Sequence, residues 1–251
     1  MTLSPTWYEK KELPMPLSTY GHSDVGFVRE NNEDSFLVED SKGIFAVADG
    51  VGGLPFGNLA SKLAVQFFDS MVGSTNDCMD LDTLKKISHK IHRNIISCGE
   101  LVGGDNGIGT TFSAIRMIGD RALFSHVGDS TIFTHDELGL QKISKCHTLR
   151  DELIEKHGEN AALDMPEHYG HTLTRCMGQD IDFEVDLGHI EIKQGTSILI
   201  CSDGITNMVP QEEIESSLKT LDPKEAVTQL VDKANQNGGI DNSTAVCIKV
   251  I

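Results

Sequence analysis

Positive charge is scarce in this sequence. Its 21 lysines and arginines stand against 38 aspartates and glutamates, a formal net charge of −17 over 251 residues. Such a chain gains nothing from counterion release on nucleic acid and is repelled by anionic membrane surfaces, so neither is an expected partner. Long apolar runs are missing as well. No stretch is long enough to span a bilayer, and Met1 to Lys11 lack the apolar core of a secretory leader. A cytoplasmic protein is expected. The six cysteines (Cys78, Cys98, Cys146, Cys176, Cys201 and Cys247) include no C-x-x-C pair. Several sit in apolar runs such as Ile198-Leu199-Ile200-Cys201, which points to buried, reduced thiols rather than a disulfide framework or a zinc site. There is no twelve-residue calcium loop of the EF-hand kind, no internal repeat and no linker-like tract. One domain over residues 1–251 is expected, with 1–17, which hold Pro14 and Pro16, as a loose arm.

What the sequence does have is short apolar segments rich in Val, Ile and Phe, bounded by Gly, Asp or Asn. Ser35–Val38, Ile44–Ala48, Thr111–Met117, Ala122–His126, Thr131–Thr134, Val185–Ile192, Ser197–Cys201 and Ala245–Val250 read as strands. The Gly119-Asp120 turn before Arg121 favours an antiparallel hairpin. Helices are expected from Asn58, with Ala60, Leu63, Ala64, Phe67, Phe68 and Met71 on one face, and from Asp82, with Leu84, Ile87, Ile91 and Ile95. A third opens at Asp222-Pro223-Lys224-Glu225, where a cap precedes Pro at the first helical position. The order is not a regular βαβ alternation. It is an α+β pattern of sheets with helices packed outside them.

One arrangement recurs: acidic residues at strand ends. Ile44 to Ala48 runs into Asp49-Gly50, Ile198 to Cys201 into Ser202-Asp203-Gly204, Leu123 to Val127 into Gly128-Asp129-Ser130, and Gly238-Gly239-Ile240 into Asp241-Asn242. Taken singly, each reads best as a turn, because glycine takes positive φ freely and Asp bonds its own backbone. Taken together they read differently. Two of the strands are apolar without alternation, as strands covered on both faces are, so their carboxylates emerge at a poorly solvated core edge. Converging carboxylates repel one another unless a cation neutralises them, and an all-oxygen set suits Mg²⁺ or Mn²⁺.

These residues fall in ordered blocks that resemble a known family. Ser23-Asp24-Val25-Gly26-Phe27-Val28-Arg29-Glu30-Asn31-Asn32-Glu33-Asp34-Ser35, Phe45 through Gly53, Gly109-Thr110-Thr111, Val127-Gly128-Asp129-Ser130, Leu173-Thr174-Arg175-Cys176-Met177-Gly178, Ile200-Cys201-Ser202-Asp203-Gly204 and Asp241-Asn242-Ser243-Thr244 match the metal-dependent protein phosphatases (PPM, or type 2C), bacterial members in particular. The resemblance runs from about Thr19 to Val250. It implies a four-layer α-β-β-α sandwich, with two antiparallel sheets face to face and helices outside. It also implies hydrolysis of phosphoserine or phosphothreonine by a water bridging two Mg²⁺ or Mn²⁺ ions. By position, Asp49 and the Gly50 carbonyl match ligands of the pair, with Asp49 bridging, and Asp203 and Asp241 match ligands of the second ion. Glu33 and Asp34 match residues that hold metal-bound waters, Asp129 a ligand of a third, weaker ion, and Arg29 the arginine that grips the phosphate.

The sequence departs from the pattern in one place that bears on mechanism. Many eukaryotic members carry a histidine two residues after the bridging aspartate, where it is proposed to protonate the leaving group; here Val51 stands there and cannot transfer a proton. His147, His168 and His171 are candidates for the task, each more often a packing or surface residue. Residues 146–170 correspond to the family's variable flap. Leu149, Leu153 and Ile154 with Asp151, Glu152 and Glu155 suggest a short helix there, and residues 148–169 are expected to select the substrate. Phosphoproteins of a cognate serine/threonine kinase are the expected partners, and a monomer the expected state. The alternative is a catalytically silent binding or sensor module of the same fold. Degenerate members would lack metal carboxylates, whereas Asp49, Asp203 and Asp241 are all present.

Overall fold

The structure is a computed structural model that describes residues 15–72, 79–162, 165–179 and 183–251. Pro14, Cys78 and most of the expected arm lie outside the described residues. In chain order, β1 (Leu17–Asp24), β2 (Asp34–Glu39) and β3 (Ile44–Asp49) lead to helices α1 (Gly57–Val72) and α2 (Leu81–Val102). Then come β4 (Phe112–Ile118), β5 (Arg121–Val127), β6 (Thr131–Asp136), β7 (Gly139–Lys142) and the short helix α3 (Leu149–His157). The order closes with β8 (Asp186–Glu191), β9 (Ser197–Cys201), α4 (Asp203–Thr206), α5 (Gln211–Thr220), α6 (Pro223–Gln236) and β10 (Ser243–Val250).

The strands form two five-stranded sheets, in the orders β1-β10-β9-β6-β7 and β2-β3-β4-β5-β8, with every pairing antiparallel. β3 shows why the chain settles in four layers. Ile44, Ala46 and Ala48 pack against Ala60, Ala64 and Phe68 of α1 and Ile91 of α2. Phe45 and Val47, on the other face, pack between the sheets with Ile132, Ile198, Ile200 and Val246. A third cluster joins Leu199, Cys201 and Ala245 to Ile214 of α5 and Leu230 and Val231 of α6. Lacking apolar alternation, β3 and β9 are covered on both sides, as expected, and β4 and β10 are covered likewise. Burying Phe45 completely is worth about 2–3 kcal/mol on its own.

Local signals decided some boundaries and misjudged others. Asp222 caps α6, accepting from the Glu225 N–H at 2.9 Å. For α2 the cap is Asp80 rather than the expected Asp82: its carboxylate accepts from the Thr83 N–H at 2.8 Å, and Asp82 sits inside the first turn. α1 starts at Gly57, so Asn58 lies within the helix and does not cap it. The Glu33 carboxylate does so from another segment: it accepts from the Asn58 N–H. Two strands and two helices, β1, β7, α4 and α5, are additions to the elements read from sequence. Leu17, placed in the loose arm, belongs to the sheet, where it pairs with Val250, and Pro16 just before it accepts from the Ile251 N–H at 2.9 Å. Among the described residues the cysteines are free thiols, Cys176, Cys201 and Cys247 buried and Cys98 and Cys146 half-buried. Burial pushes the Cys201 and Cys247 thiols up to about 12, which leaves them unreactive. No helix among the described residues is long and apolar enough to cross a membrane.

Candidate active site

Five of the singled-out carboxylates converge at one end of the two sheets. Asp34 opens β2 and Asp49 closes β3, and the two stand directly opposite in the antiparallel ladder. Asp203 opens α4 just past β9 of the other sheet. Its carboxylate and that of Asp34 both lie within hydrogen-bonding reach of Asp49. Asp129 is close enough for its charge to raise the Asp49 pKa, as is Asp241. Asp129 sits in the short link between β5 and β6, where the chain passes from one sheet to the other. Asp49 is still in its strand, and Asp203 starts a helix.

The main chain of Asp49 is fixed on both sides. Its N–H donates to Thr111 Oγ1 at 2.9 Å, and its carbonyl accepts from the Thr111 N–H and Thr110 Oγ1, each at 2.8 Å. Gly50 follows because nothing larger fits: a Cβ there would meet the Gly57 carbonyl oxygen at 2.5 Å. Gly204 is likewise dictated by close approach, since a Cβ would sit 1.9 Å from the Asn242 carbonyl oxygen. The Asp-Gly pairs thus serve packing of backbone on backbone, and only secondarily turning.

Burial pushes the Asp49 carboxyl well above the usual range, and the charges of Asp34 and Asp203 push it further. Asp34 is raised to about 6, chiefly by burial and against hydrogen bonds from Thr244 and Ser202, the latter donating to Oδ2 at 2.8 Å. Asp129 is raised to about 7 by burial and then by Asp203. Asp203 is raised by burial and Asp241 despite a 3.0 Å bond from Asn207 Nδ2, and Glu33 is raised by burial against Arg29. Asp34 Oδ1 is buried with no hydrogen-bond partner. Acceptors facing acceptors, with one oxygen orphaned, are stable only with protons or cations between them. Among the described residues no three His, Cys, Asp or Glu side chains are already drawn together as a cage. An all-oxygen donor set of this kind fits Mg²⁺ or Mn²⁺, which keep several waters and take only part of their shell from protein.

Arg29 lies at the rim. Its Nη2 donates to Asp241 Oδ2 at 2.7 Å, and Nη1 comes within 3.7 Å of the Cβ position of Gly52. Sequence reasoning did not single out the residue that ties this rim together, Asn242. Its Nδ2 donates to the Val25 and Asn31 carbonyls at 2.9 and 3.1 Å, and its Oδ1 accepts from the Glu33 N–H at 2.8 Å. Ser202, Thr110 and Thr111 were equally unremarked. The available signal was their position beside carboxylates inside the matching blocks.

The pattern of the protein phosphatase 2C family matches residues 27–237. The chain belongs to that family. It is 33% identical to the serine/threonine phosphatase stp of Listeria monocytogenes serovar 1/2a over 90% of this chain and 93% of that one. The structure superposes on the crystal structure of the Mycobacterium tuberculosis serine/threonine phosphatase PstP/Ppp with a TM-score of 0.83 at 29% identity, covering 93% and 98% of the two chains. It also matches the catalytic domain of PstP in complex with two manganese ions (TM-score 0.82, 28% identity, 94% and 98% covered).

In this member of the phosphatase 2C family the expected flap helix forms as α3, capped by Thr148, yet none of its residues is buried. The flap's ends are clipped together by Leu149 N–H to Thr172 O and Thr174 N–H to His147 O, each 2.9 Å. A cavity of about 440 Å³ runs beneath it, with Asp129 and Asp203 at one side and Lys142, Arg150 and Asp151 among its walls. His147, weighed as a proton donor, is buried: Nδ1 accepts from the Gly128 N–H at 3.0 Å, and Nε2 faces Asp186 Oδ2 at 3.2 Å. It holds the flap to the Asp129 turn. His171 is exposed and near enough for its charge to lower the Asp203 pKa.

Proposed function

We propose that this chain is a metal-dependent protein serine/threonine phosphatase, a single PPM domain over residues 1–251. The observation that carries the reading is Asp49, fixed in its backbone, half-buried, and ringed by Asp34, Asp203, Asp129 and Asp241. Asp49, the Gly50 carbonyl, Asp203 and Asp241 would hold two divalent cations, Asp129 a third, and Glu33 and Asp34 their waters. When bound, the cations supply positive charge at the phosphate and acidify a water for attack on phosphorus. Arg29 offers its planar fork of donors to the phosphate oxygens, orienting the ester and offsetting its charge. Thr110, Thr111 and Asn242 hold the Asp49 and Arg29 segments in register. Val51 takes no part in proton transfer, so the leaving alkoxide draws its proton from solvent or from His171.

The substrates are phosphoproteins of a cognate serine/threonine kinase, met in the cytoplasm by a monomer, with the flap at 148–169 choosing among them. The silent sensor reading is disfavoured because the acidic set is complete. Release of phosphate from a phosphothreonine peptide, measured with Mn²⁺ and with EDTA, tests the proposal. Hydrolysis should need Mn²⁺, and equal rates in both would sink it.

A further inference from the structure

Three large apolar side chains stand out in solvent around the Arg29–Asp241 pair. Phe27 is 73% exposed, Val28 62% and Ile240 52%. Phe27 and Val28 directly precede Arg29, and Ile240 directly precedes Asp241. Their two loops are locked together. The Phe27 and Val28 N–H groups both donate to the Gly239 carbonyl, at 2.7 and 3.3 Å, and Asn242 Nδ2 donates to the Val25 carbonyl at 2.9 Å. A Cβ on Gly239 would sit 3.0 Å from Phe27 Cδ2, so the ring lies across that glycine, next to Ile240. Backbone hydrogen bonds therefore fix apolar atoms outward beside a polar pocket, where they stand exposed among the described residues. An apolar patch held this way beside a polar site marks a contact surface.

Continuity with Arg29 names the occupant. A segment that brings its phosphate to Arg29 lays the adjoining residue about 3.3 Å further along, over the surface of Phe27, Val28 and Ile240. Acidic flanks are opposed there by Glu30, Glu33 and the net charge of −17. We propose that these three residues form a ledge that selects phosphoserine and phosphothreonine segments carrying a bulky apolar residue next to the phosphorylated one. The inference rests on the phosphatase reading above.

The test is the ratio of kcat/KM for two phosphothreonine peptides identical except for Leu or Ser beside the phosphothreonine. Burial of half a leucine side chain predicts a wild-type ratio of about five. Phe27→Ser with Ile240→Ser should bring the ratio to about one, and Phe27→Leu should keep it near the wild-type value. A ratio unchanged in the double variant would overturn the ledge. So would a wild-type dimer in sedimentation that the double variant splits, since the surface would then belong to a second copy. p-Nitrophenyl phosphate, which has no neighbouring residue, separates the two claims. Wild-type protein that turns it over while treating both peptides alike overturns the ledge alone; turnover of none of the three substrates overturns the phosphatase reading as well.

Discussion

Arg29 Nη2 donates to Asp241 Oδ2 at 2.7 Å, joining the two segments that frame the mouth of the acidic pocket. Both side chains are over a third exposed, so the pair is screened by water and readily exchanged. On the proposed account a divalent cation takes Asp241, and the guanidinium turns to the phosphate. Arg29→Ala should then lower kcat/KM on a phosphothreonine peptide by about 10²–10³, the usual cost of losing a donor to developing charge. Arg29→Lys should recover only part of it, because a point charge replaces a two-pronged fork. Steady-state kinetics of the two variants decide this, and full activity in Arg29→Ala would remove Arg29 from the site.

The raised carboxylates give the stability a sign. With Asp34 at about 6 and Asp129 at about 7, the metal-free native chain binds more protons than the unfolded chain between about pH 4 and 7. Its stability is therefore lost as pH rises through that window. Bound Mn²⁺ needs the same groups deprotonated and works in the opposite sense. The gap between Tm in Mn²⁺ and Tm in EDTA should widen from pH 5 to pH 7.5, by about 2–4 °C for each kcal/mol. His126 contributes the other way. Burial lowers it to about 3, so its share of the stability is lost as pH falls below about 6.5. That share is common to both conditions and cancels in the difference. A gap that stays constant with pH would contradict the acidic cluster.

Asn242 makes its three side-chain bonds to backbone groups that have no other evident purpose than to hold residues 25–33 in place. Asn242→Ala should cost about 2–3 kcal/mol in chemical denaturation and lower activity more than Mn²⁺ affinity, since it displaces Arg29. Equal loss in both would place Asn242 among the metal-holding residues instead.

The sequence made some of this legible and concealed the rest for physical reasons. β3 and β9 could be recognised because both their faces are covered, leaving an apolar run with no alternation. β1 could not: none of its residues is fully buried, Gly21 and His22 interrupt it, and its place is set by pairing with β10 at the far end of the chain. The cap of α1 was misassigned because the capping carboxylate, Glu33, comes from another segment, and local pattern sees only neighbours. The acidic centre was visible as recurring Asp-Gly pairs. Their glycines looked like turn formers, however, and the close approach of Gly50 to Gly57 and of Gly204 to Asn242 emerges only in three dimensions. His147 illustrates the same limit, since its burial and its bond from Gly128 follow from how the flap closes on β5.

The most direct test of the central claim is a calorimetric titration of Mn²⁺ into the metal-free protein and into Asp49→Asn, with phosphothreonine hydrolysis followed in parallel. The account predicts two Mn²⁺ ions bound by the wild type, affinity weakened on the order of 100-fold or more in Asp49→Asn, and hydrolysis lost with it. Wild-type hydrolysis by Asp49→Asn in the presence of EDTA would contradict it.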